Sequence, residues 1–291
     1  MVRWLLRSGS NMGLPGVMTG EQSTRRATWQ GEGMNDLLAL QRRLERAQAL
    51  QNERLNEAAG GRSLPVGGGF AHFRGPAHPL NQALGLIDAI SEGELEAVER
   101  FLGNPTVLEL SPAADPALWA LLARRGYRVH QFQQLWVRHL GATPIAADPG
   151  AEVHIARVDD ADQYNRLVGA GFMEQQDWRS FEPPFAMSLA VPGIFGFIVS
   201  VGGEPAGGGT LGIVDGVALL AGDSVLPQFR GRGLQQVLVR ARLRRALEEG
   251  CDVACAGTAP STASQRSYER CGFHAGWPKL ELARGYGAGH E

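Results

Sequence analysis

The most constraining stretch of the sequence lies between residues 195 and 226, where three apolar segments are separated by short turn signals. The segments are FGFIVSV, AGGGTLGIV and VALLAGDSVL, and the turns are GGEP and an Asp-Gly pair. Asp-Gly between two apolar runs is a strong signal for a β-hairpin. The stretch therefore predicts an antiparallel meander of three strands, around which the rest of this half must fold.

The meander leads directly into VLPQFRGRGLQ, residues 225–235, and then into an amphipathic helix. Leu234, Val237 and Leu238 share one face of that helix, several arginines fall on the other face, and Gly250 ends it. The segments CDVACAGT, STASQRSYERCGF and PKLELAR then predict a strand, a helix and a last strand.

The upstream half shows a similar mixture of helices and strands. Residues 35–59 carry an amphipathic pattern, and Ser91 followed by Glu94 forms a capping box that predicts a helix over about 92–102. Asp115 before a proline predicts the start of another helix, between the strand candidates TVLEL and VHQFQQLWVRHL. This order indicates an α/β (α+β) protein.

The segment GATPIAADPGAEV, residues 141–153, breaks every periodic pattern and predicts a linker. It separates a first domain over 34–140 from a second over 151–285, with the linker itself at 141–150. Residues 1–33 lack periodicity and predict a disordered extension, and 286–291 form a tail.

Composition excludes several classes of function. The formal net charge is -2 and the chain has one lysine, Lys279, so neither a nucleic-acid surface nor a nucleic-acid partner is expected. Three cysteines without nearby histidine pairs predict buried thiols rather than disulfides or a metal site. No apolar stretch reaches membrane-spanning length, so we expect a soluble, cytoplasmic protein with no membrane partner.

The RGRG turn has two interpretations when it is taken alone. A strand that passes through glycines into a helix presents unpaired backbone N–H groups at the positive end of the helix dipole, which suits a pyrophosphate. No P-loop pattern is present, and no GxGxxG pattern opens a βαβ unit near an acid that could bind a ribose. The alternative is a strand-to-helix turn that uses glycines only for their backbone conformation.

The succession of elements from about 151 to 285 resembles the GNAT N-acetyltransferases. Their acetyl-CoA motif is [QR]xxGx[GA], and the segment from Arg230 to Gln235 is similar to it, with Gln235 in place of the last small residue. Their Tyr-x-x-x-Gly-Phe pattern is matched by Tyr268, Gly272 and Phe273. The resemblance implies a mixed, mainly antiparallel sheet flanked by helices.

The resemblance also implies a donor substrate, acetyl-CoA, and residues that bind it. Val225 and Leu226 would pair with the pantetheine arm, and a cradle of main-chain N–H groups would hold the pyrophosphate. The cradle residues are Arg230, Gly231, Arg232, Gly233, Leu234 and Gln235. No metal is implied.

Catalysis would need a proton donor and a proton acceptor. Tyr268 would return a proton to the CoA thiolate, a role that suits a hydroxyl of pKa about 10 facing a thiol of pKa about 8.5. Packing in the core is the alternative for Tyr268. Asp223 is the candidate base for the amine, with Glu174 behind it, and a structural hydrogen bond is an equal interpretation of Asp223.

We therefore expect an N-acetyltransferase that acts on a primary amine of a small molecule or peptide by direct attack. The alternative is a non-catalytic module that binds acetyl-CoA, CoA or a partner. The sequence leaves the identity of the acceptor, the length of the acyl chain and the oligomeric state open.

A short internal echo links the two halves of the chain. The segment LLARRGYRV, residues 121–129, is similar to SYERCGFHA, residues 267–275, since each ends a helix near a Gly-aromatic pair and enters a strand. This pattern indicates a duplication. It resembles the tandem GNAT arrangement, in which a degenerate N-terminal half keeps the scaffold; here that half has no RGxG before its helix. Chance similarity is the alternative.

Overall fold

The computed structural model describes residues 34–76, 78, 80–141, 144–146, 152–172 and 185–285. The predicted extension at 1–33, most of the linker, the candidate base Glu174 and the tail at 286–291 lie outside the described residues. None of the helices described is long and apolar enough to cross a membrane.

Eight helices and strands make up the first half. They are α1 (Met34–Ala58), β1 (Arg62–Val66), β2 (Gly69–Phe73), β3 (Gln82–Leu84), α2 (Glu92–Leu102), β4 (Thr106–Leu110), α3 (Pro116–Arg124) and β5 (Arg128–His139).

The second half contains the predicted meander and its helices. Its elements are β6 (Glu152–Ala156), α4 (Ala161–Phe172), β7 (Ile194–Val201), β8 (Glu204–Val214), β9 (Val217–Val225), α5 (Leu234–Glu248), β10 (Val253–Thr258), α6 (Ala263–Arg270) and β11 (His274–Arg284). Short 3-10 turns at Val158–Asp160, Phe185–Ala190 and Pro227–Phe229 connect them.

The helix starts predicted from capping residues in the first half are confirmed. The Ser91 side chain accepts a hydrogen bond from the Glu94 N–H at 3.2 Å, and the Glu94 carboxylate accepts one from the Ser91 N–H at 2.7 Å. Asp115 accepts from the N–H of Ala117 at 2.7 Å, with Pro116 at the first helical position. Local side-chain chemistry is therefore enough to set where α2 and α3 begin.

The eleven strands in the described part of the chain form one sheet, in the order β1-β2-β3-β4-β11-β5-β10-β9-β8-β7-β6. Most neighbours are antiparallel, and the parallel pairs are β3 with β4 and β9 with β10. Each parallel pair is connected by a helix, α2 in the first half and α5 in the second, and each half ends with another helix and a strand. The two halves thus repeat one order of elements, as the internal echo predicts.

The two halves exchange their last strands. β5, which ends the first half, pairs with β10 on one side and with β11 on the other. β11, which ends the second half, pairs with β5 and with β4. The sheet therefore runs through both predicted domains, whose limits stay predictions.

Helices cover both faces of the sheet around the second half. Leu238 of α5 belongs to a core cluster with Ala218 and Leu220 of β9. On the other face, Leu44 of α1 packs with Val217 of β9, the strand residue next to Ala218. Because alternate residues of a strand face opposite sides, β9 is buried between α5 and α1.

Buried thiols are a further prediction that the structure confirms. Cys251, Cys255 and Cys271 are all buried. Burial raises the pKa of Cys251 to about 11 and that of Cys255 to about 12. Both of these groups are therefore neutral thiols at physiological pH.

A buried charge cluster joins α1 and β4 of the first half to β11 of the second. The ammonium of Lys279 lies 3.0 Å from a Glu45 carboxylate oxygen and 2.5 Å from one of Glu109, and it donates to the Gln48 side chain at 2.7 Å. The Lys279 side chain is 2% exposed. The facing Glu109 and Glu45 outweigh burial and raise the pKa of Lys279.

We expect Lys279→Met to lower the free energy of unfolding by about 3–5 kcal/mol, because it leaves two buried carboxylates without their cation. Denaturant unfolding measures the change. The control is Arg124→Met, which removes an exposed ion pair to Glu92 and should cost at most about 1 kcal/mol. Equal losses in the two variants would contradict a central role for the cluster.

Candidate functional site

The turn between β9 and α5 is built on two glycines with left-handed backbone conformation. Gly231 has φ of 78° and Gly233 has φ of 75°, a region that disfavours residues with a Cβ. A Cβ built at either position would meet nothing within 4 Å. The glycines thus serve the backbone geometry, and the surface beside them is open.

This turn leaves the start of α5 without internal hydrogen-bond partners. Gly233 is the N-cap and supplies no side-chain acceptor, and the first turn holds no acidic residue. Across the part of the chain that the structure describes, no backbone carbonyl accepts a hydrogen bond from the N–H groups of Gly231 to Gln235. Residues 230–233 are exposed. Exposed donors at the positive end of a helix dipole suit an anion.

The side chains of the two arginines in the turn contact the residues just before it. Arg230 donates from Nε to the Val225 carbonyl at 3.1 Å, which ties the turn to the end of β9. The Arg232 guanidinium lies 5.5 Å from the centroid of the Phe229 ring. Leu234 is buried and anchors the first turn of α5 in the core.

Gln235 points its side chain to α6. Its amide nitrogen donates to the Ser264 hydroxyl at 2.9 Å, and its amide oxygen accepts from the Ser267 hydroxyl at 3.0 Å. The size of this side chain therefore does not limit the turn itself.

The position of Gln235 favours a different register for the [QR]xxGx[GA] motif. Counted from Gln228, the segment QFRGRG satisfies every position of the motif, and both left-handed glycines fall on its small-residue positions. Gln228 is exposed. The motif counted from Arg230 leaves this glutamine out, although the sequence places it three residues before Gly231, the spacing that the motif requires.

Next to the turn, the parallel strands β9 and β10 separate. Their pairing runs from Val217 and Val253 to Leu220 and Ala256. β9 continues to Val225, which pairs with Gly207 of β8 on its other side. Within the two described strands, residues 221–225 have no partner in β10, so this edge of β9 is open. Val225 and Leu226 lie at the end of it, as predicted for residues that pair with an extended ligand.

The two predicted catalytic residues, Asp223 and Tyr268, are in contact with each other. The Tyr268 hydroxyl donates to one oxygen of the Asp223 carboxylate, and Arg242 of α5 donates to the other oxygen. The side chains of Asp223 and Arg242 are 6% and 0% exposed, and Tyr268 is 2% exposed. The three side chains form one buried unit, which we call the Asp-Arg-Tyr unit.

A glycine in β8 makes room for this unit. A Cβ at Gly209 would lie 3.0 Å from the Arg242 guanidinium and 3.1 Å from the Asp223 carboxylate. A bulge in β9 at Gly222, with φ of 69°, accompanies a register shift opposite Gly209. Part of the glycine run in AGGGTLGIV is thus explained by the side chains that pack against it.

Burial and mutual charge determine how the unit titrates. Burial and the facing Asp223 carboxylate raise the pKa of Tyr268 well above its ordinary value. Burial lowers the pKa of Arg242, but the Asp223 carboxylate outweighs this, and the pKa of Arg242 is raised. At neutral pH Tyr268 therefore carries its proton and Arg242 its charge.

The arginines of α5, which the sequence pattern places on the solvent face, differ in position. Arg242 is fully buried, so it is not available at the surface of the helix. Arg244 donates to the Ala146 carbonyl at 3.1 Å, and Arg245 pairs with Glu249. His154 lies exposed on β6 and is not part of the Asp-Arg-Tyr unit.

Helix α2 occupies the position in the first half that α5 occupies in the second, but its N-terminus differs. The Ser91 side chain and the Glu94 carboxylate cap it, and Glu92 adds a second acidic residue in the first turn. The Glu94 carboxylate accepts from the Ser91 N–H, the Ser91 hydroxyl accepts from the Glu94 N–H, and the acidic side chains repel another anion. The absence of RGxG in this half is thus accompanied by a helix start that disfavours phosphate.

The polar residues His72, Arg74 and His78 of the first half do not form an open cleft. His72 is 2% exposed, its Nδ1 lies 3.1 Å from the Ser63 hydroxyl, and burial lowers its pKa to about 4. Arg74 donates to the Asn56 side chain at 3.0 Å. His72 and Arg74 thus belong to a packed polar cluster under α1.

Comparisons with known proteins agree with this geometry. Residues 154–273 match the family model described as the acetyltransferase (GNAT) family. A GCN5-related N-acetyltransferase from Kribbella flavida superimposes with a TM-score of 0.60 at 18% identity, covering 83% of this chain and 96% of that chain. A tandem GNAT protein from the clavulanic acid biosynthesis pathway gives a TM-score of 0.56 at 14% identity, covering 89% and 97%. No curated protein sequence matches the chain.

At these identities the two structures show the fold alone. The fold they share with this chain is a mixed, mostly antiparallel sheet flanked by helices, with two units in tandem.

Asp223→Asn should lower the pKa of Tyr268, because the facing carboxylate is one of the causes that raise it. A spectroscopic titration of the tyrosinate band measures this change, with Tyr268→Phe identifying the contribution of this one tyrosine. An unchanged Tyr268 titration in Asp223→Asn would show that the two groups are not coupled.

Proposed function

We propose that the chain transfers the acetyl group of acetyl-CoA to a primary amine, since residues 154–273 match the family model described as the acetyltransferase (GNAT) family. The observation that carries the proposal is the uncapped, exposed start of α5 beside the open edge of β9. The donor supplies an activated thioester, so direct attack by a neutral amine needs no covalent enzyme intermediate.

The cradle would bind the donor mainly through the protein backbone. The N–H groups of residues 231–235 would hold the pyrophosphate, because no backbone carbonyl of the described residues accepts from them and they lie at a helix N-terminus. The open edge at Val225 and Leu226 would pair with the pantetheine amides in the manner of an added strand. Phosphate binding by backbone groups would make the glycines more important for donor binding than the arginine side chains.

Tyr268 is proposed to protonate the departing thiolate. Its raised pKa keeps it protonated at neutral pH, which is the state that a proton donor requires. Asp223 would hold the hydroxyl until the donor is bound, and it remains the candidate acceptor for the amine proton. The role of Tyr268 requires its hydrogen bond to Asp223 to open during turnover, because the hydroxyl has a single proton to donate.

The first half, residues 34–140, is proposed as a scaffold without its own donor site. The capped, acidic start of α2 supports this assignment. Its strand β5 supports the second half directly, since Trp136 donates to the Thr258 hydroxyl at the end of β10 at 2.9 Å.

A second candidate function is a module that binds CoA or a partner without catalysis. The burial of Tyr268, whose hydroxyl already donates to Asp223, favours this alternative. Turnover with a panel of small-molecule and peptide amines separates the two functions, because both predict binding of acetyl-CoA and only one predicts release of the CoA thiol.

Calorimetry with acetyl-CoA should show binding that Gly233→Val weakens about tenfold or more. A Cβ-branched residue in the left-handed region costs about 1–2 kcal/mol, which displaces the turn from its binding conformation. Gly250→Val is the matched control, because Gly250 follows the other end of α5 with φ of 78° and equally open space. Similar affinity losses in both variants, or no binding by the wild type, would refute the cradle.

Tyr268→Phe should lower kcat by roughly a hundredfold or more, because it removes the proton donor for the thiolate. The affinity for acetyl-CoA should change little, since the cradle is untouched. The control is Tyr127→Phe, which removes a buried hydroxyl that donates to Glu99 at 3.2 Å in the first half. Unchanged turnover of Tyr268→Phe in the presence of amine would remove Tyr268 from the mechanism.

A further inference from the structure

Arg242 is a buried charged residue of the second half that has no role so far in the proposed acetyl transfer. It lies in the middle of α5 and is fully buried. A buried arginine is stable only when its donors are satisfied and its charge is balanced. The sequence pattern placed the arginines of α5 on its solvent face, and Arg242 departs from that expectation.

Every arm of the Arg242 guanidinium has an acceptor. Nε donates to the Leu238 carbonyl at 3.1 Å, within the same helix. One terminal nitrogen donates to the carbonyls of Thr210 at 3.0 Å and Ala221 at 3.2 Å, and the other donates to Asp223. The guanidinium is therefore fixed by both β8 and β9 and cannot rotate away from Asp223 without losing several hydrogen bonds.

This arrangement connects Arg242 to Tyr268 through a single carboxylate. Asp223 accepts from Arg242 on one oxygen and from Tyr268 on the other. The direction of the Tyr268 hydroxyl thus depends on Asp223, and the position of Asp223 depends on Arg242. Tyr164 of α4 also lies near the unit, and its hydroxyl is 2.6 Å from that of Thr210.

The charge of Arg242 also matters when Tyr268 gives up its proton. When Tyr268 loses its proton, a phenolate faces the Asp223 carboxylate in a buried site, and two adjacent anions are unfavourable there. The Arg242 cation leaves one net negative charge in the unit instead of two.

We propose that Arg242 is a positioning residue for acetyl transfer, which acts through Asp223 to orient the Tyr268 hydroxyl and to balance the charge left on it. This role rests on the proposed function. The proton leaves the Tyr268 O–H bond and forms the S–H bond of CoA, and Tyr268 recovers a proton from the acylated nitrogen through Asp223, the candidate acceptor. The amine proton ends on the thiol, and no further reactant is needed.

A purely structural role for Arg242, holding α5 against the sheet, makes a different prediction. Loss of structure would lower turnover whether or not Tyr268 is present. A positioning role acts only through the hydroxyl, so it disappears once that hydroxyl is removed. A double-mutant cycle in kcat therefore separates the two.

The experiment compares Arg242→Lys with wild type, and the same substitution in a Tyr268→Phe background, using an amine that the wild type acetylates. Arg242→Lys keeps the charge but cannot reproduce the forked hydrogen bonds. We expect kcat to fall roughly tenfold in the presence of Tyr268 and to fall no further in its absence. The KM for acetyl-CoA should stay within about twofold of wild type.

Arg245→Lys is the matched control, because Arg245 lies on the same helix and its ion pairs are with Glu248 and Glu249. Its kcat should equal that of wild type. Should Arg242→Lys fail to fold, Arg242→Gln takes its place in the cycle, since the neutral amide can still donate a hydrogen bond to Asp223, and its loss in kcat should likewise vanish without Tyr268.

The outcomes are distinct. Equal fractional losses of kcat with and without Tyr268 overturn the positioning role while leaving acetyl transfer intact. A wild type that binds acetyl-CoA but acetylates no amine overturns the proposed function, and the role of Arg242 falls with it.

Discussion

The antiparallel pairing of β5 with β11 is the constraint on which the rest of the structure depends. Each strand ends one half of the chain and lies inside the sheet of the other half. Beside this pair, Lys279 of β11 joins α1 and β4 through buried carboxylates. The functional end of the sheet is thus completed by the first half, even though the cradle and the Asp-Arg-Tyr unit belong to the second.

Helix α5 connects the two parts of the candidate site. Its first turn supplies the open N–H groups, Gln235 links it to α6, and Arg242 reaches the bulge in β9 two turns later. A displacement of this helix would therefore disturb donor binding and the orientation of Tyr268 together. The corresponding helix of the first half, α2, begins with its own capping carboxylate, Glu94.

Local features of the fold were predictable from the sequence, because they depend on neighbouring residues. The capping box at Ser91, the Asp115 cap, the meander and the glycine turn all belong to this class. The exchange of β5 and β11 was not predictable, since apolar alternation shows that a segment is a strand but does not identify its partner. The linker composition even favoured separate units.

The cradle could be predicted from the sequence, but the contact partners of the catalytic candidates could not. Gly231 and Gly233 were identified because their chemistry is local, whereas the contact between Asp223 and Tyr268 joins residues 45 positions apart. A signal for Arg242 did exist: it lies four residues from both Leu238 and Ala246, on a buried stripe of α5. An arginine on such a stripe requires an acid, and Asp223 on the neighbouring strand was available.

The most direct test of the central claim is a titration with acetyl-CoA followed by the backbone amide resonances of the isotope-labelled protein. The account predicts that the N–H signals of Gly231, Gly233 and Leu234 shift on binding, while those at the start of α2, around Glu92 to Glu94, do not. Shifts centred on α2, or acetyl-CoA binding that leaves the α5 signals unchanged, would contradict it.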